Sequence, residues 1–189
     1  AHYEQRSQTQ PGKALIVGMS REICARLYNE IVNLKQEWKD SDHMKGSVKV
    51  VMTASASESE LLQPHHTSKH QKKDLENRFK DPNDPLKIVL VRDMWLTGFD
   101  APCLATMYVD KPMKGANLAQ AIARVNRVFK DKPGGLIVDY IGIAPQLTEA
   151  LATYTGANGK GEIKLDSSEA VRVLLELIQI AEVLLHPVE

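Results

Sequence analysis

The sequence predicts an α/β domain: a mainly parallel sheet with helices on both faces, followed by a C-terminal amphipathic helix. Three observations carry this prediction. Five short runs rich in Val, Ile and Leu do not alternate apolar with polar, and four of them are continuously apolar (Lys49 interrupts Val48 to Met52), as strands are when both faces of a sheet are covered. Between them lie segments whose apolar residues recur three and four positions apart, the helical spacing. Turn residues bound both kinds of segment.

The elements follow in order. Residues 1–12 are polar, end in Pro11-Gly12 and read as an N-terminal tail or linker. Ala14-Leu15-Ile16-Val17 is the first strand. Ser20 is placed to cap a helix in which Ile23, Leu27, Ile31, Leu34 and Trp38 lie on one face. Val48 to Met52 is the second strand, and Thr53 to Ser68, rich in Ser and Glu, is a surface loop. Leu75 and Phe79 mark a helix within His70 to Lys80. Ile88 to Val91 and Met107-Tyr108-Val109 are the third and fourth strands. Leu118, Ile122, Val125 and Phe129 mark a helix over 117–129 with Asn117 as its cap, and Leu136-Ile137-Val138 is the last strand. Three glycines and an asparagine in Gly156 to Gly161 break the chain. Asp166 and Glu169 then have capping-box spacing for a final helix. There Arg172, Glu176, Gln179 and Glu182 form a polar stripe, which fits a packing helix and not a membrane span. The expected organisation is a domain over 13–154, then a loop and helix over 155–189 leading toward a following helical domain.

Composition narrows the function. Hydrophobic residues at 43% and charged residues at 25% exclude wholesale disorder. Cys24 and Cys103 stand alone, so neither a zinc site nor a disulfide framework is expected, and reduced thiols fit a cytoplasmic protein. The 24 basic and 24 acidic residues cancel, which argues against a uniformly basic nucleic-acid coat. The zero is a sum of unlike parts. Residues 1–110 hold 15 of each sign, 111–132 hold six basic and one acidic, and 133–189 hold three basic and eight acidic.

Two segments could carry chemistry. At 100° per residue, the apolar residues of the 117–129 helix cluster on one side, and Gln120, Arg124 and Arg127 on the other. Taken alone, the polar side is either a solvated face or a pair of arginines set for phosphates. Thr97-Gly98-Phe99-Asp100-Ala101-Pro102 follows the third strand, and ligands of open α/β sheets bind at the carboxyl ends of strands. It is either a capped turn or a loop whose Asp100 accepts hydrogen bonds from a ribose. His65, His66 and His70 lack Cys or carboxylate partners at ligand spacing, so no metal site is expected. Lys69, Lys72, Lys73, Arg78 and Lys80 are interspersed with acids and read as a solvated face, with contact to a DNA backbone as the alternative. Trp38 and Trp95 read as packing residues.

Taken together, the two segments resemble the C-terminal, RecA-like motor domain of superfamily 2 helicases. The strand at 13–20, Gly98-x-Asp100 and Gln120-x-x-x-Arg124-x-x-Arg127 resemble that family's motifs IV, V and VI. Gly98-Phe99-Asp100-Ala101-Pro102, the Gln120 to Val128 segment and Gly135 to Gly142 are most similar to the restriction (motor) subunit of type I restriction enzymes.

The resemblance implies a three-layer RecA-like domain and a set of roles. Gly98, Asp100 and Gln120 would bind nucleotide, and Arg124 and Arg127 would be arginine fingers toward its γ-phosphate. Ser20, Arg21 and Arg92 would touch the nucleic-acid backbone. Arg92 stands where many relatives have Thr, and Ala123 where Gly is usual. The chain has no Gly-x-x-x-x-Gly-Lys-Ser/Thr loop and no Walker-B acid pair. The resemblance therefore places ATP and Mg²⁺ in the full-length protein, with the metal held by a preceding RecA-like domain, and implies that this chain does not hydrolyse ATP alone. Implied partners are double-stranded DNA, that first motor domain, and the modification and specificity subunits of a restriction complex; a membrane is not among them. Another superfamily 2 repair or remodelling ATPase and a non-catalytic scaffold of the same fold are the alternatives.

Overall fold

A computed structural model describes residues 1–53, 59–127, 129, 132 and 134–143, all within one compact unit. The expected final helix and its cap lie outside the described residues.

The strands are β1 (Lys13–Gly18), β2 (Val48–Val51), β3 (Ile88–Val91), β4 (Leu104–Asp110) and β5 (Leu136–Asp139). They form one sheet in the order β2-β3-β1-β4-β5, and every pairing among them is parallel. Ile16 of β1 faces Leu90 of β3 on one side and Tyr108 of β4 on the other. The expected α/β sheet is therefore present, with all five strands at the predicted runs.

Strand alternation divides the core in two. Leu15, Val17, Val89, Val91, Met107 and Val109 point to one face, under α3 (Lys69–Lys80) and α4 (Gly115–Val125). Ala14, Val48, Val50, Ile88, Leu90 and Tyr108 point to the other, under α2 (Arg21–Leu34). Three layers result, and both sheet faces need apolar side chains, which is why the strands do not alternate in sequence.

Three elements differ from expectation. Residues 1–12 carry a helix, α1 (His2–Thr9), where a polar tail or linker was expected. It has no apolar stripe and docks through Tyr3, edge-on to Trp38, and through polar groups. The Tyr3 hydroxyl donates to the Gly12 carbonyl at 2.9 Å, and Arg6 Nε donates to Thr106 Oγ1 at 3.2 Å. Helix α2 buries Cys24, Ala25, Tyr28 and Val32, while Ile23 and Leu34 of the expected stripe are exposed. The small residues let the helix sit close: a Cβ on Gly18 would fall 2.7 Å from Cys24 Sγ. Trp38 is buried, but in a separate 3-10 turn. Helix α4 is capped at Lys114 and ends at Val125, so Phe129 lies beyond it and bridges Lys132.

Arg78 is a further correction. It belongs to the core, not to a solvated face: it pairs with Asp84 and donates to the carbonyls of His43, Lys45 and Gly46. Trp95 packs as expected, stacked on Phe99 at 4.3 Å. No described helix is long and apolar enough to cross a membrane.

Candidate functional site

Residues 92–103 link the carboxyl end of β3 to the amino end of β4, so they must run the height of the sheet without a helix. They do so on the α3–α4 face, anchored by Trp95, Leu96, Phe99 and Ala101 in the core. Trp95 has φ +67°, a strained conformation for a bulky residue, held by its stack on Phe99 and its contact with Phe79. Gly98 has φ +68° with open space around it, so glycine supplies the left-handed turn that aims Asp100 outward.

Helix α4 packs against this crossover and places two arginines on it. Arg124 Nε donates to the Leu96 carbonyl at 2.9 Å. Arg127, just past the helix cap Asn126, donates from Nη1 to Asp100 Oδ2 at 2.6 Å. Burial presses the Arg124 pKa below its ordinary value, Asp100 opposes this, and Arg127 adds repulsion. The Arg127–Asp100 pair is about half exposed on each side, so an incoming anion can compete for the guanidinium. Gln120 is exposed one turn before Arg124. Five predicted residues (Gly98, Asp100, Gln120, Arg124 and Arg127) therefore sit along one crossover–helix seam. The seam lies on the side of the sheet, with Asp100 near the amino end of β4 and not at the carboxyl edge.

The other three sit elsewhere, at the carboxyl edge. Ser20 caps α2, its side chain accepting from the Ile23 amide at 3.1 Å. Arg21 Nη1 donates to the Thr53 carbonyl at 2.9 Å. Arg92 is exposed and pairs with Asp93 at 3.3 Å. This edge is also where strand order reverses: from β1 the chain goes to β2 and β3 on one side, then to β4 and β5 on the other.

The sequence reading missed a cavity of about 400 Å³ at this edge, lined by Asp93, Thr97, Lys111, Lys114 and Asn117 among others. The positive block at 111–132 was the available signal, since it contains both lysines.

Residues 28–142 match the protein family described as type I restriction enzyme subunit R domain 3. This chain belongs to that family. A relative, the type I restriction enzyme HindI endonuclease subunit of Haemophilus influenzae, is 56% identical over 168 residues. The match covers 87% of this chain but 16% of that subunit, so the chain spans about a sixth of its relative's length. Among solved structures, a fragment described as an HsdR subunit of a type I restriction enzyme from Vibrio vulnificus YJ016 superposes with TM-score 0.52 at 18% identity, covering 77% of this chain and 26% of that one. Dbp5 from S. cerevisiae, bound to RNA and ADP BeF3, gives TM-score 0.50 at 15% identity, covering 94% and 41%. At these identities the two structures establish the fold, a helicase-type RecA-like α/β domain. The restriction-subunit family and the RecA-like architecture implied by the motifs are thus both present.

Proposed function

We propose that the chain is the second motor domain of an ATP-dependent double-stranded DNA translocase, within the restriction subunit of a type I restriction-modification system in the cytoplasm. The observation that carries this reading is the seam: both arginines bond to the same crossover that holds Gly98 and Asp100.

ATP would lie between this seam and a preceding RecA-like domain. This chain's own groups toward the nucleotide would be Gly98, Asp100, Gln120 and the arginines, and Mg²⁺ would be held by the preceding domain. Asp100 would accept hydrogen bonds from ribose hydroxyls. The γ-phosphate would draw Arg127 from Asp100, so the cation moves only when nucleotide closes the cleft. Arg124, pinned through Nε, would present its terminal nitrogens to the charge that develops during hydrolysis. Closing and opening would move the carboxyl edge, with Ser20, Arg21 and Arg92, along the DNA backbone. The modification and specificity subunits would supply site recognition.

The test is DNA-stimulated ATP hydrolysis by the full-length subunit carrying this domain, with and without Arg124→Ala and Arg127→Ala. Undiminished activity in both variants overturns the finger assignment.

A further inference from the structure

The carboxyl-edge cavity shares Leu96 and Thr97 with the crossover of the arginine seam, but its cations come from elsewhere. Lys114 precedes Arg124 by ten positions on the same helix, about 15 Å of helical rise, so the two cannot hold the same phosphate group. Around its mouth, Asp93 gathers two cations. Arg92 pairs with it at 3.3 Å, and Lys111 pairs with it while also donating to the Arg92 carbonyl at 3.2 Å. Lys114 is exposed and lines the same cavity. Counting Arg92 beside it, three cations accompany one carboxylate, an excess of two positive charges, and Thr97 and Asn117 add neutral donors.

We propose that Lys111 and Lys114, with Arg92 held beside them by Asp93, bind backbone phosphates of duplex DNA in this cavity. The inference rests on the translocase reading above. It adds the β4–α4 loop to the DNA grip, next to Arg92. Cations at a cavity also lined by Leu96, Pro112 and Met113 suit a phosphodiester, whose phosphate needs charge and hydrogen-bond donors and whose sugar can rest on apolar groups. Asp93 has a definite part: it keeps Arg92 and Lys111 side by side before DNA arrives.

The experiment measures binding of a fluorescent 30-base-pair duplex by the full-length subunit across a salt series. The Lys111→Ala/Lys114→Ala double variant should bind about tenfold more weakly at 100 mM salt, with the log–log salt slope reduced by about 1.8, the value for two lost phosphate contacts. Lys111→Arg/Lys114→Arg should keep the wild-type slope. Lys39→Ala/Lys45→Ala, which removes the same charge from exposed positions outside the cavity, should change the slope little. Equal slopes for the two alanine pairs overturn the proposal and leave the translocase reading standing. A wild-type subunit that binds no duplex overturns that reading and this one with it. A loss of affinity for a fluorescent ATP analogue, with duplex binding unchanged, assigns the cavity to nucleotide phosphates and also overturns the proposal.

Discussion

Two sets of cations in the molecule are held in opposite ways. At the amino ends of the strands, cations are buried and held by backbone carbonyls. Lys13 Nζ reaches the carbonyls of Arg78 and Asp84, Lys49 Nζ those of Asp40 and Asp42, and Lys132 Nζ those of Leu104 and Val125. Arg78 fastens three further carbonyls and Asp84. These contacts tie helix ends and loops to the strands. Along the crossover and at the carboxyl edge, Arg92, Lys111 and Arg127 pair with exposed carboxylates, Asp93 and Asp100, and Lys111 also reaches the Arg92 carbonyl. Carbonyl-held cations satisfy groups that water cannot reach, so removing one leaves the others unmet. Carboxylate-held cations at the surface contribute little stability and can change partner. The buried set is architecture, and the exposed set is available for ligands.

The sharpest test of this contrast is loss of function without loss of fold. Arg127→Ala in the full-length subunit should lower the turnover number for DNA-stimulated ATP hydrolysis by about 10³-fold or more. Its stability in urea denaturation should stay within about 0.5 kcal/mol of wild type. A matching drop in stability would make Arg127 structural and erase the contrast.

Arg78→Ala should do the reverse. It leaves Asp84 and three carbonyls without their donor, and the expected cost is about 3–5 kcal/mol in the same denaturation. A cost below about 1 kcal/mol would mean the buried cations do not hold the amino edge.

His65 gives a milder, pH-dependent version. Its ring lies edge-on to Tyr28, and burial, with repulsion from Lys49 and His66, pushes its pKa from 6.5 down to about 4. As pH falls below 6.5 the unfolded chain gains a proton that the folded chain refuses until about 4. The stability contributed by neutral His65 is complete above pH 6.5 and is lost between there and pH 4. The slope contributed should approach about 1.4 kcal/mol per pH unit. His65→Gln should flatten that window in denaturation curves collected from pH 7 to 4. An unchanged difference between the two proteins across the window would refute it.

The smallest effect separates two roles at one residue. Ser20→Ala should cost about 1 kcal/mol through the lost cap, whereas Ser20→Asp should keep the cap. If Ser20 also faces the DNA backbone, Ser20→Asp should weaken duplex binding more than Ser20→Ala does. Equal binding would leave the cap as its whole task.

Much of this was legible in the chain. The five strands stand where continuous Val and Ile runs put them, because a strand buried on both faces must be apolar on both. Gly98, Asp100, Arg124 and Arg127 were legible as a motif pair, because their types and spacing limit what they can do. Their meeting was legible only through resemblance, since nothing local brings residue 127 to residue 100. The inward face of α2 was legible only in part: Leu27 and Ile31 pack against the core, whereas Ile23 and Leu34 are exposed. Periodicity favours the larger apolar residues, and the helix instead turns Cys24 and Ala25 inward, where small side chains permit close approach to Gly18. Arg78 was misread for the same kind of reason: one-dimensional charge spacing does not show that a loop 35 residues earlier offers it carbonyls.

The sequence alone determined the fold class, the strand positions and the residue types of the arginine seam, because hydrophobic pattern and turn chemistry act over a few residues. Only the tertiary structure decided which cations are buried and which are available. It also decided that the seam runs down the side of the sheet and that Asp93, Lys111 and Lys114 surround one cavity. Those outcomes depend on strand order, which brings β3, β1 and β4 side by side, and on which carbonyls each long side chain meets once packed.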